Sequence, residues 1–276
     1  MEPVPPGAES YNVTAMVEQA AARPRNPIIL IPARLASNRL PNKPLADIAG
    51  EPMIVHVWRR AVESDTAPVV VAAADREIVD AVEKAGGRAI LTRPDHITGS
   101  DRIFEAIERL DVERKHDAVV NVQGDMPTLE PAAIRAVFEP LAERDVDIAT
   151  LATEIVREDE RSDPNVPKVV VGLAPGQRIG RALYFSRVTV PGGEGPHYFH
   201  IGIYAYRRPA LERFVKLKQG VLEDREQLEQ LRALEAGMRI DVALVDTVPL
   251  GVDTPAHLAR AREMLSGKGR AGKGRD

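Results

Sequence analysis

Strand-like and helix-like segments alternate along the first half of the chain, and this alternation restricts the possible folds more than any other feature. Short apolar runs rich in β-branched residues predict buried strands at 27–32, 69–73, 88–92 and 118–122. Amphipathic segments predict helices between and after these strands, at 53–64, 76–85, 101–110 and 131–143. Such an alternation favours an α/β fold in which helices cover both faces of a parallel sheet.

The pattern changes in the second half of the chain, where strands dominate. Apolar runs predict strands of a more mixed sheet at 148–153, 168–171, 181–185, 201–206 and 240–245. Helices are predicted at 223–236 and 255–265, the second with Thr254 as its N-cap and Pro255 at its first position.

The two ends of the chain differ from the segment between them. Residues 1–26 contain four prolines, and we interpret them as a flexible extension with a short helix near 11–22. The tail at 267–276 is rich in glycine and basic residues, and we expect it to be mobile and solvated rather than bound to nucleic acid. A single domain is predicted for 27–266.

Composition excludes several classes of protein. The 276 residues include no cysteine, which rules out disulfides, thiolate metal sites and a cysteine nucleophile, and fits a reducing cytoplasm. No apolar stretch reaches about 18 residues, and no basic segment precedes an apolar one at the N-terminus, so neither a membrane span nor a secretory signal is predicted. The net charge of −4 argues against a general nucleic-acid binder, so an anion site requires a local cluster of cations.

Such a cluster follows the first predicted strand, in the loop 34–43. The loop carries Arg34, Arg39 and Lys43, together with the hydroxyl of Ser37. Because ligands of open α/β sheets bind where strands end in loops, these cations are well placed to bind a polyphosphate. A solvated basic turn is the alternative interpretation.

Two aspartates are candidates for a metal site. Asp125 follows the strand at 118–122, and Asp253 lies between a strand region and the last helix. Magnesium binds few carboxylates and completes its coordination with water and phosphate oxygens, so two aspartates from separate loops can share one ion. The alternatives are a turn aspartate at position 125 and a helix cap at position 253, although Thr254 already supplies that cap.

Two further pairs are candidates for ligand contacts. His200 and Tyr204 face the same side of a predicted strand, and Gly202 between them leaves that face open. Glu229 and Gln230 lie in a charged helical segment. A structural histidine and a solvated helix face are the competing interpretations, and the six histidines show no zinc-binding spacing.

Seven segments together resemble one family, the 3-deoxy-manno-octulosonate (Kdo) cytidylyltransferases, also called CMP-Kdo synthetases. The resemblance extends from about 27 to 264. It is carried by IPARLASNRLPNKPL (31–45), GEPMIVHV (50–57), NVQGD (121–125), ALYFSR (182–187), HIGIY (200–204), LEQLR (228–232) and GVDTP (251–255). All seven in this order form a highly specific pattern.

The resemblance implies a Rossmann-like nucleotidyltransferase fold, similar to glycosyltransferase A, with a mostly parallel sheet and a smaller mixed-sheet dimerisation region near 154–235. The implied enzyme is a cytoplasmic homodimer that transfers CMP from CTP to Kdo and releases pyrophosphate. Its product, CMP-Kdo, supplies lipopolysaccharide synthesis.

The resemblance also implies roles for individual residues. CTP would be held by Arg34, Ser37, Lys43, Ala73, Asp75, Ser100, Arg102 and Asp125. The sugar would be held by Arg39, Gln123, Arg187, His200, Tyr204, Glu229 and Gln230. Asp125 and Asp253 would bind Mg²⁺, and with Arg34 and Lys43 they form the implied catalytic set.

Three departures from the family pattern concern the finer specificity. Met126 stands where the family usually has Glu, Ala74 where it usually has Thr, and the loop at 191–196 is short. A cytidylyltransferase for a related sugar acid, such as amino-Kdo or a sialic-acid-like sugar, stays open as an alternative, as does a catalytically silent nucleotide-binding paralogue. A nucleic-acid binder acting through the basic tail is disfavoured by the acidic net charge.

Overall fold

The computed structural model describes residues 23–37 and 39–266. The short helix expected near 11–22 and the tail at 267–276 lie outside the described residues. The strands are Pro27–Ala33 (β1), Asp47–Ile48 (β2), Glu51–Pro52 (β3), Val69–Ala73 (β4), Ala89–Leu91 (β5), Ala118–Asn121 (β6), Ile148–Glu154 (β7), Lys168–Gly172 (β8), Ile179–Ser186 (β9), Tyr198–Arg207 (β10) and Ile240–Leu244 (β11). The α-helices are Met53–Glu63 (α1), Arg76–Lys84 (α2), Gly99–Leu110 (α3), Pro131–Ala136 (α4), Glu158–Ser162 (α5), Arg208–Phe214 (α6), Val221–Glu226 (α7), Leu231–Glu235 (α8) and Pro255–Leu265 (α9).

Nine of the described strands form one sheet, in the order β5-β4-β1-β6-β10-β7-β11-β9-β8. The first four are parallel to one another, as the strand–helix alternation predicts. Strand β10 then inserts antiparallel between β6 and β7, and β8 pairs antiparallel with both β9 and the start of β10. The sheet as a whole is therefore mixed rather than mostly parallel.

Alternation of side chains along β1 divides the interior into two apolar layers. Ile29 and Ile31 face one layer, where they pack with residues of α1, α2 and α4. Ile28 and Leu30 face the other layer, which contains residues of α3, α6 and α8. Because successive side chains of a strand point to opposite faces, one apolar run builds both layers and requires helices on both sides of the sheet.

Two helices that the sequence predicts as continuous are interrupted in the structure. The helix predicted at 131–143 ends at Ala136, and a short 3₁₀ segment follows at Glu139–Ala142. Pro140 lies in that segment, where it cannot donate a helical hydrogen bond and its ring would clash with the preceding turn.

The helix predicted at 223–236 is divided into α7 and α8. Gln227 adopts a left-handed conformation with φ 55° and ends α7. The Arg187 side chain donates hydrogen bonds to the carbonyl oxygens of Glu226 at 2.8 Å and Gln227 at 3.1 Å, so these oxygens have partners outside a helix.

Within 23–37 and 39–266, none of the helices has both the length and the apolar character that a membrane crossing requires.

Candidate active site

A cleft of about 550 Å³ opens at the carboxyl edge of the parallel strands. Strand β1 lies between β4 and β6 and runs parallel to both, so the loops that follow these three strands emerge at the same edge. Eight residues that the sequence analysis singled out line this cleft: Arg34, Ser37, Arg39, Lys43, Arg102, Gln123, Asp125 and Asp253.

Lys43 connects the two aspartates of the cleft. Its Nζ lies 2.8 Å from Oδ2 of Asp125 and 2.9 Å from Oδ1 of Asp253. Arg39 adds a second cation 3.2 Å from the same oxygen of Asp253. The backbone joins the two loops as well, because the N–H of Val252 donates to the Asp125 carbonyl oxygen at 2.9 Å. Two aspartates that are far apart in sequence thus share one lysine.

The predicted cap of the last helix is confirmed. The Thr254 hydroxyl accepts a hydrogen bond from the backbone N–H of His257 at 3.2 Å. The Asp253 carboxylate does not cap this helix and instead faces Lys43 and Arg39. Asp253 is therefore available for a role in the cleft.

The ion pairs shift the pKa values of the groups that form them. Burial lowers the pKa of Lys43, but the charge of Asp125 and hydrogen bonds to both aspartates outweigh it, so the pKa lies above its usual value. Burial raises the pKa of Asp253, but the hydrogen bond from Lys43 and the charges of Lys43 and Arg39 leave it below its usual value. Both shifts favour the charged forms.

The two carboxylates fit a magnesium ion better than a transition metal. Among the described residues, no group of three or more His, Asp or Glu side chains gathers as a metal site. Magnesium needs only one or two carboxylates when substrate phosphates supply other ligands. The donor set of Asp125 and Asp253 therefore suits an ion that arrives with a nucleotide.

The start of helix α3 contributes a part of the cleft that the sequence analysis missed. Thr98 and Gly99 line the cleft, and the Thr98 hydroxyl caps the helix by accepting a hydrogen bond from the Asp101 N–H at 3.1 Å. His96 also lines the cleft and contacts Glu105. A threonine before a glycine and an aspartate three residues later is a recognisable helix start, and it is the signal that would have placed this N-terminus at the carboxyl edge of the sheet.

Arg102 presents an unused donor in the same cleft. Its NH1 donates to Thr92 Oγ1 at 2.7 Å and to the Arg93 carbonyl at 2.9 Å. Its NH2 is buried and has no hydrogen-bond partner among the described residues. Burial lowers the pKa of Arg102, and the nearby charge of Arg34 lowers it further. A buried donor without a partner is costly, so an acceptor from outside the protein, either water or a ligand, would complete its hydrogen bonding.

Ala73 and Asp75 do not line the cleft, but each forms hydrogen bonds with a neighbouring segment. The Ala73 carbonyl oxygen accepts hydrogen bonds from the backbone N–H of Thr92 at 2.7 Å and its hydroxyl at 3.0 Å. Oδ2 of Asp75 accepts from the Leu35 N–H at 2.7 Å, which holds the start of the loop 34–43.

A second group of predicted residues adjoins the cleft but is largely enclosed. This buried polar cluster comprises Ser100, His200, Tyr204 and Gln230, together with Glu229, whose side chain is partly exposed. Ser100 lies beside cleft residue Gly99, and its hydroxyl donates to Glu229 Oε2 at 3.1 Å. The His200 and Tyr204 rings lie 5.5 Å apart, and Gln230 Nε2 lies 3.5 Å from Nδ1 of His200. The cluster is thus joined to the cleft through the first turn of α3.

Burial dominates the electrostatics of this cluster. It lowers the pKa of His200 to about 3, so the ring is neutral at physiological pH. It also raises the pKa of Tyr204 and of Glu229, although Arg232 partly opposes the shift at Glu229. Oε1 of Glu229 is buried without a hydrogen-bond partner among the described residues. The cluster therefore consists of polar groups with one acceptor that has no donor within the described residues.

Arg187 does not line the cleft. Its guanidinium donates to the carbonyl oxygens of Glu226, Gln227 and Pro164 at 2.8, 3.1 and 3.0 Å. These contacts connect the end of β9 to the break between α7 and α8.

The departures from the family pattern lie outside the cleft. Met126 packs against the apolar layer that contains α1 and α2. The backbone N–H of Ala74 donates to the Ala33 carbonyl oxygen at 2.9 Å. Neither side chain lines the cleft.

Comparisons with known proteins agree on one family. The family model described as cytidylyltransferase matches residues 28–240. A protein of Paramagnetospirillum magneticum named 3-deoxy-manno-octulosonate cytidylyltransferase is 69% identical over 239 residues, which cover 87% of this chain and 97% of the relative. A protein of the same name from Rhodospirillum centenum is 68% identical over 244 residues, with coverage of 88% and 95%.

A solved structure supports the same assignment. It is described as CMP:2-keto-3-deoxy-manno-octonic acid synthetase complexed with CTP, and it superimposes with a TM-score of 0.80 at 38% sequence identity. The match covers 88% of this chain and 99% of that chain. Given the cleft, the paired aspartates and these relatives, the chain belongs to the cytidylyltransferase family and, within it, to the 3-deoxy-manno-octulosonate cytidylyltransferases.

Proposed function

We propose that this protein transfers CMP from CTP to the anomeric 2-hydroxyl of Kdo, giving CMP-Kdo and pyrophosphate. The observation that carries the proposal is the arrangement of Lys43 between Asp125 and Asp253 in a cleft that Arg34 and Arg39 also line. High identity to proteins named for this reaction, over nearly their full length, supports it.

CTP occupies the cleft in this proposal. Arg34, Ser37 and Lys43 bind its phosphates, because they lie together on the loop after β1. The nucleoside lies toward Ala73, Asp75, Ser100 and Arg102, of which Arg102 lines the cleft. The solved relative described as complexed with CTP supports this occupant.

Magnesium accompanies the nucleotide. Asp125 and Asp253 would hold it, and when bound it would polarise the α-phosphate and offset negative charge. Lys43 neutralises these two carboxylates in the free protein, and with Mg²⁺ bound it would instead pair with the phosphates. The family resemblance places Asp125 in both the CTP-binding and the metal-binding set.

The sugar lies between the cleft and the buried polar cluster. Arg39 provides a cation for its carboxylate, and Gln123 lies next to the end of β6. His200, Tyr204, Glu229 and Gln230 form the polar wall that a polyol requires. Arg187 supports this wall through its contacts to the Glu226 and Gln227 carbonyls.

The residues act chiefly by positioning and by charge neutralisation. The 2-hydroxyl oxygen of the sugar attacks the α-phosphorus in line and its proton passes to water. The bond between the α-phosphorus and the bridging oxygen breaks, and pyrophosphate leaves on the opposite side. Arg34 and Lys43 offset the charge that develops on the leaving pyrophosphate.

The proposal extends to the organisation of the protein. We assign 27–266 to one Rossmann-like nucleotidyltransferase domain of the glycosyltransferase-A type, with a region near 154–235 that joins two copies as a homodimer. That region exposes the apolar side chains of Val156, Leu183, Val188 and Val221, which such an interface would cover. The proposal includes a cytoplasmic location and a role in lipopolysaccharide synthesis.

The test is pyrophosphate release with CTP and Mg²⁺ in four parallel reactions: Kdo, amino-Kdo, N-acetylneuraminate and no sugar. Release with Kdo, and its loss when Mg²⁺ is chelated, is the expected result. Release with another sugar acid in place of Kdo would assign the protein to that substrate. CTP binding without release in any reaction would favour a catalytically silent paralogue.

A further inference from the structure

Thr150 is a buried hydroxyl at an irregular point of the sheet. It lies on β7, is fully buried, and is paired with Tyr204 on β10. The pairing of the two strands shifts between Ile201 and Tyr204, which indicates a β-bulge. The Thr150 hydroxyl lies at this shift, 2.8 Å from the Ile203 carbonyl oxygen and 3.3 Å from that of Ile201. It is therefore a polar group with specific partners in the interior.

Counting protons determines which of its partners donates. A threonine hydroxyl has one proton and two lone pairs, and a carbonyl oxygen can only accept. The hydroxyl proton is donated to a carbonyl of the bulge, because otherwise the lone pairs of Thr150 Oγ1 and of the Ile203 carbonyl oxygen would face each other at 2.8 Å. Nε2 of His200 lies 3.0 Å from the same oxygen, Thr150 Oγ1. Because the hydroxyl has no second proton to offer, Nε2 must carry the proton of this hydrogen bond.

The other ring nitrogen is then an acceptor. Burial keeps the His200 ring neutral, so the ring has only one proton, and that proton is on Nε2. Nδ1 faces the amide nitrogen of Gln230 at 3.5 Å. The Phe185 and Tyr204 rings lie 4.9 and 5.5 Å from the imidazole and restrict its rotation. A series of hydrogen-bond contacts thus connects Thr150 through His200 to Gln230.

We propose that Thr150 is a positioning residue of the sugar pocket, which holds His200 in the tautomer protonated on Nε2 and so directs its Nδ1 lone pair toward Gln230. The part of this inference that concerns the sugar rests on the function proposed above. With its amide nitrogen directed to His200, Gln230 keeps its carbonyl oxygen for a hydroxyl group of the sugar. Without the Thr150 hydroxyl, the Nε2 proton has no acceptor, and the ring can carry its proton on Nδ1 instead. That proton would face the Gln230 N–H, and the amide would turn.

The tautomer can be measured in the unaltered protein without substrates. Nitrogen NMR of protein labelled with ¹⁵N-histidine separates a protonated from an unprotonated ring nitrogen, and the spectrum of His200→Gln identifies the His200 signals by their absence. We expect a neutral ring protonated on Nε2 in wild type. A ring protonated on Nδ1 would overturn the inference without any further variant.

Variants at position 150 test the consequence for the sugar. Thr150→Val keeps the shape of the side chain and removes the hydroxyl, whereas Thr150→Ser keeps the hydroxyl. The valine variant should raise the KM for Kdo about tenfold, as expected for one neutral hydrogen bond, with the KM for CTP nearly unchanged. The serine variant should retain both the wild-type KM and the wild-type ¹⁵N spectrum. Thr150→Ala replaces the valine variant if the latter does not fold.

The outcomes separate this inference from the proposed reaction. A wild-type protein that releases no pyrophosphate with Kdo would contradict the proposed function, yet its ¹⁵N spectrum would still test whether the His200 ring is protonated on Nε2. A wild type active on Kdo, with unchanged KM for Kdo in both hydroxyl-free variants, would overturn the positioning role alone. Equal increases in the KM for Kdo and in the KM for CTP would indicate general structural damage and would also overturn the positioning role.

Discussion

At the scale of single residues, Lys43 neutralises the two aspartates of the cleft in the free protein. Two carboxylates on adjoining loops would repel each other, and Lys43 is close to both. Its ammonium group balances the negative charge of the pair. This explains why cations and carboxylates of the cleft are interleaved rather than separated.

Asp253 offers the most direct test of the paired aspartates. Asp253→Asn keeps the size of the side chain and removes its charge, so it should lower kcat by about a hundredfold, the usual loss for one electrostatic contact to the reacting phosphate. Pyrophosphate release at saturating Mg²⁺ measures the effect. Asp246→Asn is the matched control, because Asp246 is an exposed aspartate paired with Arg178. Near-normal turnover of a folded Asp253→Asn protein would contradict the two-aspartate site.

His200 should make folding stability depend on pH in a defined window. Its folded pKa is about 3, whereas a histidine in an unfolded chain has a pKa of about 6.5. Below pH 6.5 the unfolded chain binds a proton that the native protein does not, so the free energy of unfolding falls as the pH falls toward 3. One such group costs about 2 kcal/mol between pH 6.5 and 5.

His200→Gln should remove this contribution. Urea unfolding at pH 6.5 and 5 should show a smaller loss in the variant than in wild type by about 2 kcal/mol, because the other titrating groups are common to both proteins. Equal losses in the two proteins would mean that the native ring takes up a proton in this range.

Individual residues differ in how far the sequence could predict them. Charged residues after strands, such as Arg34, Lys43 and Asp125, follow from the general position of ligand sites in α/β sheets. Thr150 could not be predicted in this way, because it sits inside a strand and its partner lies 50 positions away. Its role depends on a bulge in the pairing of β7 and β10, which no local pattern encodes.

At the scale of elements, the turn after β6 depends on a close approach to β1. A Cβ atom on Gly124 would lie 2.7 Å from the Pro32 carbonyl oxygen and 3.4 Å from Cδ1 of Ile54. Only a glycine lets this turn bring Asp125 beside Lys43 without displacing the backbone.

Gly124→Ala should therefore displace Asp125. We expect kcat to fall on the order of a hundredfold and stability to fall by roughly 1–3 kcal/mol, through misplacement and overpacking. Gly251→Ala is the matched control, because a Cβ there meets nothing within 4 Å. It should change stability by less than about 0.5 kcal/mol. Equal activity of the two variants would show that the approach to Pro32 does not position Asp125.

The helices show where local sequence is a sufficient guide and where it is not. The α9 helix begins where Thr254 and Pro255 predict it, because capping is a local interaction. The break between α7 and α8 escapes such an analysis. It depends on Arg187, about 40 positions earlier, whose side chain bonds the carbonyls at 226 and 227.

At the scale of the whole molecule, the sheet combines parallel strands joined by helices with a strand inserted antiparallel from a distant part of the chain. Parallel strands β5, β4, β1 and β6 follow from their helical connections, and the strand–helix alternation predicts them. The insertion of β10 beside β6 requires pairing between residues about 85 positions apart, such as Ala205 with Val120. That insertion pairs Tyr204 with Asn121 at the end of β6, so the buried polar cluster is a product of topology rather than of any single segment.

The proposed homodimer can be tested on the exposed apolar surface. Leu183 on β9 is 58% exposed within the region 154–235. If an interface covers it, Leu183→Glu should place a charge in a desolvated contact and give monomers of about 30.1 kDa, while wild type sediments at twice that mass.

Val112→Glu is the control for a charge on an exposed apolar position. Val112 is 80% exposed and lies outside the proposed region, so its variant should sediment as wild type does. Sedimentation velocity at micromolar concentration distinguishes the species, and circular dichroism verifies that each variant is folded. A monomeric wild type would reject the dimer, and a dimeric Leu183→Glu protein would move the interface away from β9. The cleft lies at the carboxyl edge of β1 and β6, whereas β9 lies near the far end of the sheet. The monomeric variant should therefore still bind CTP.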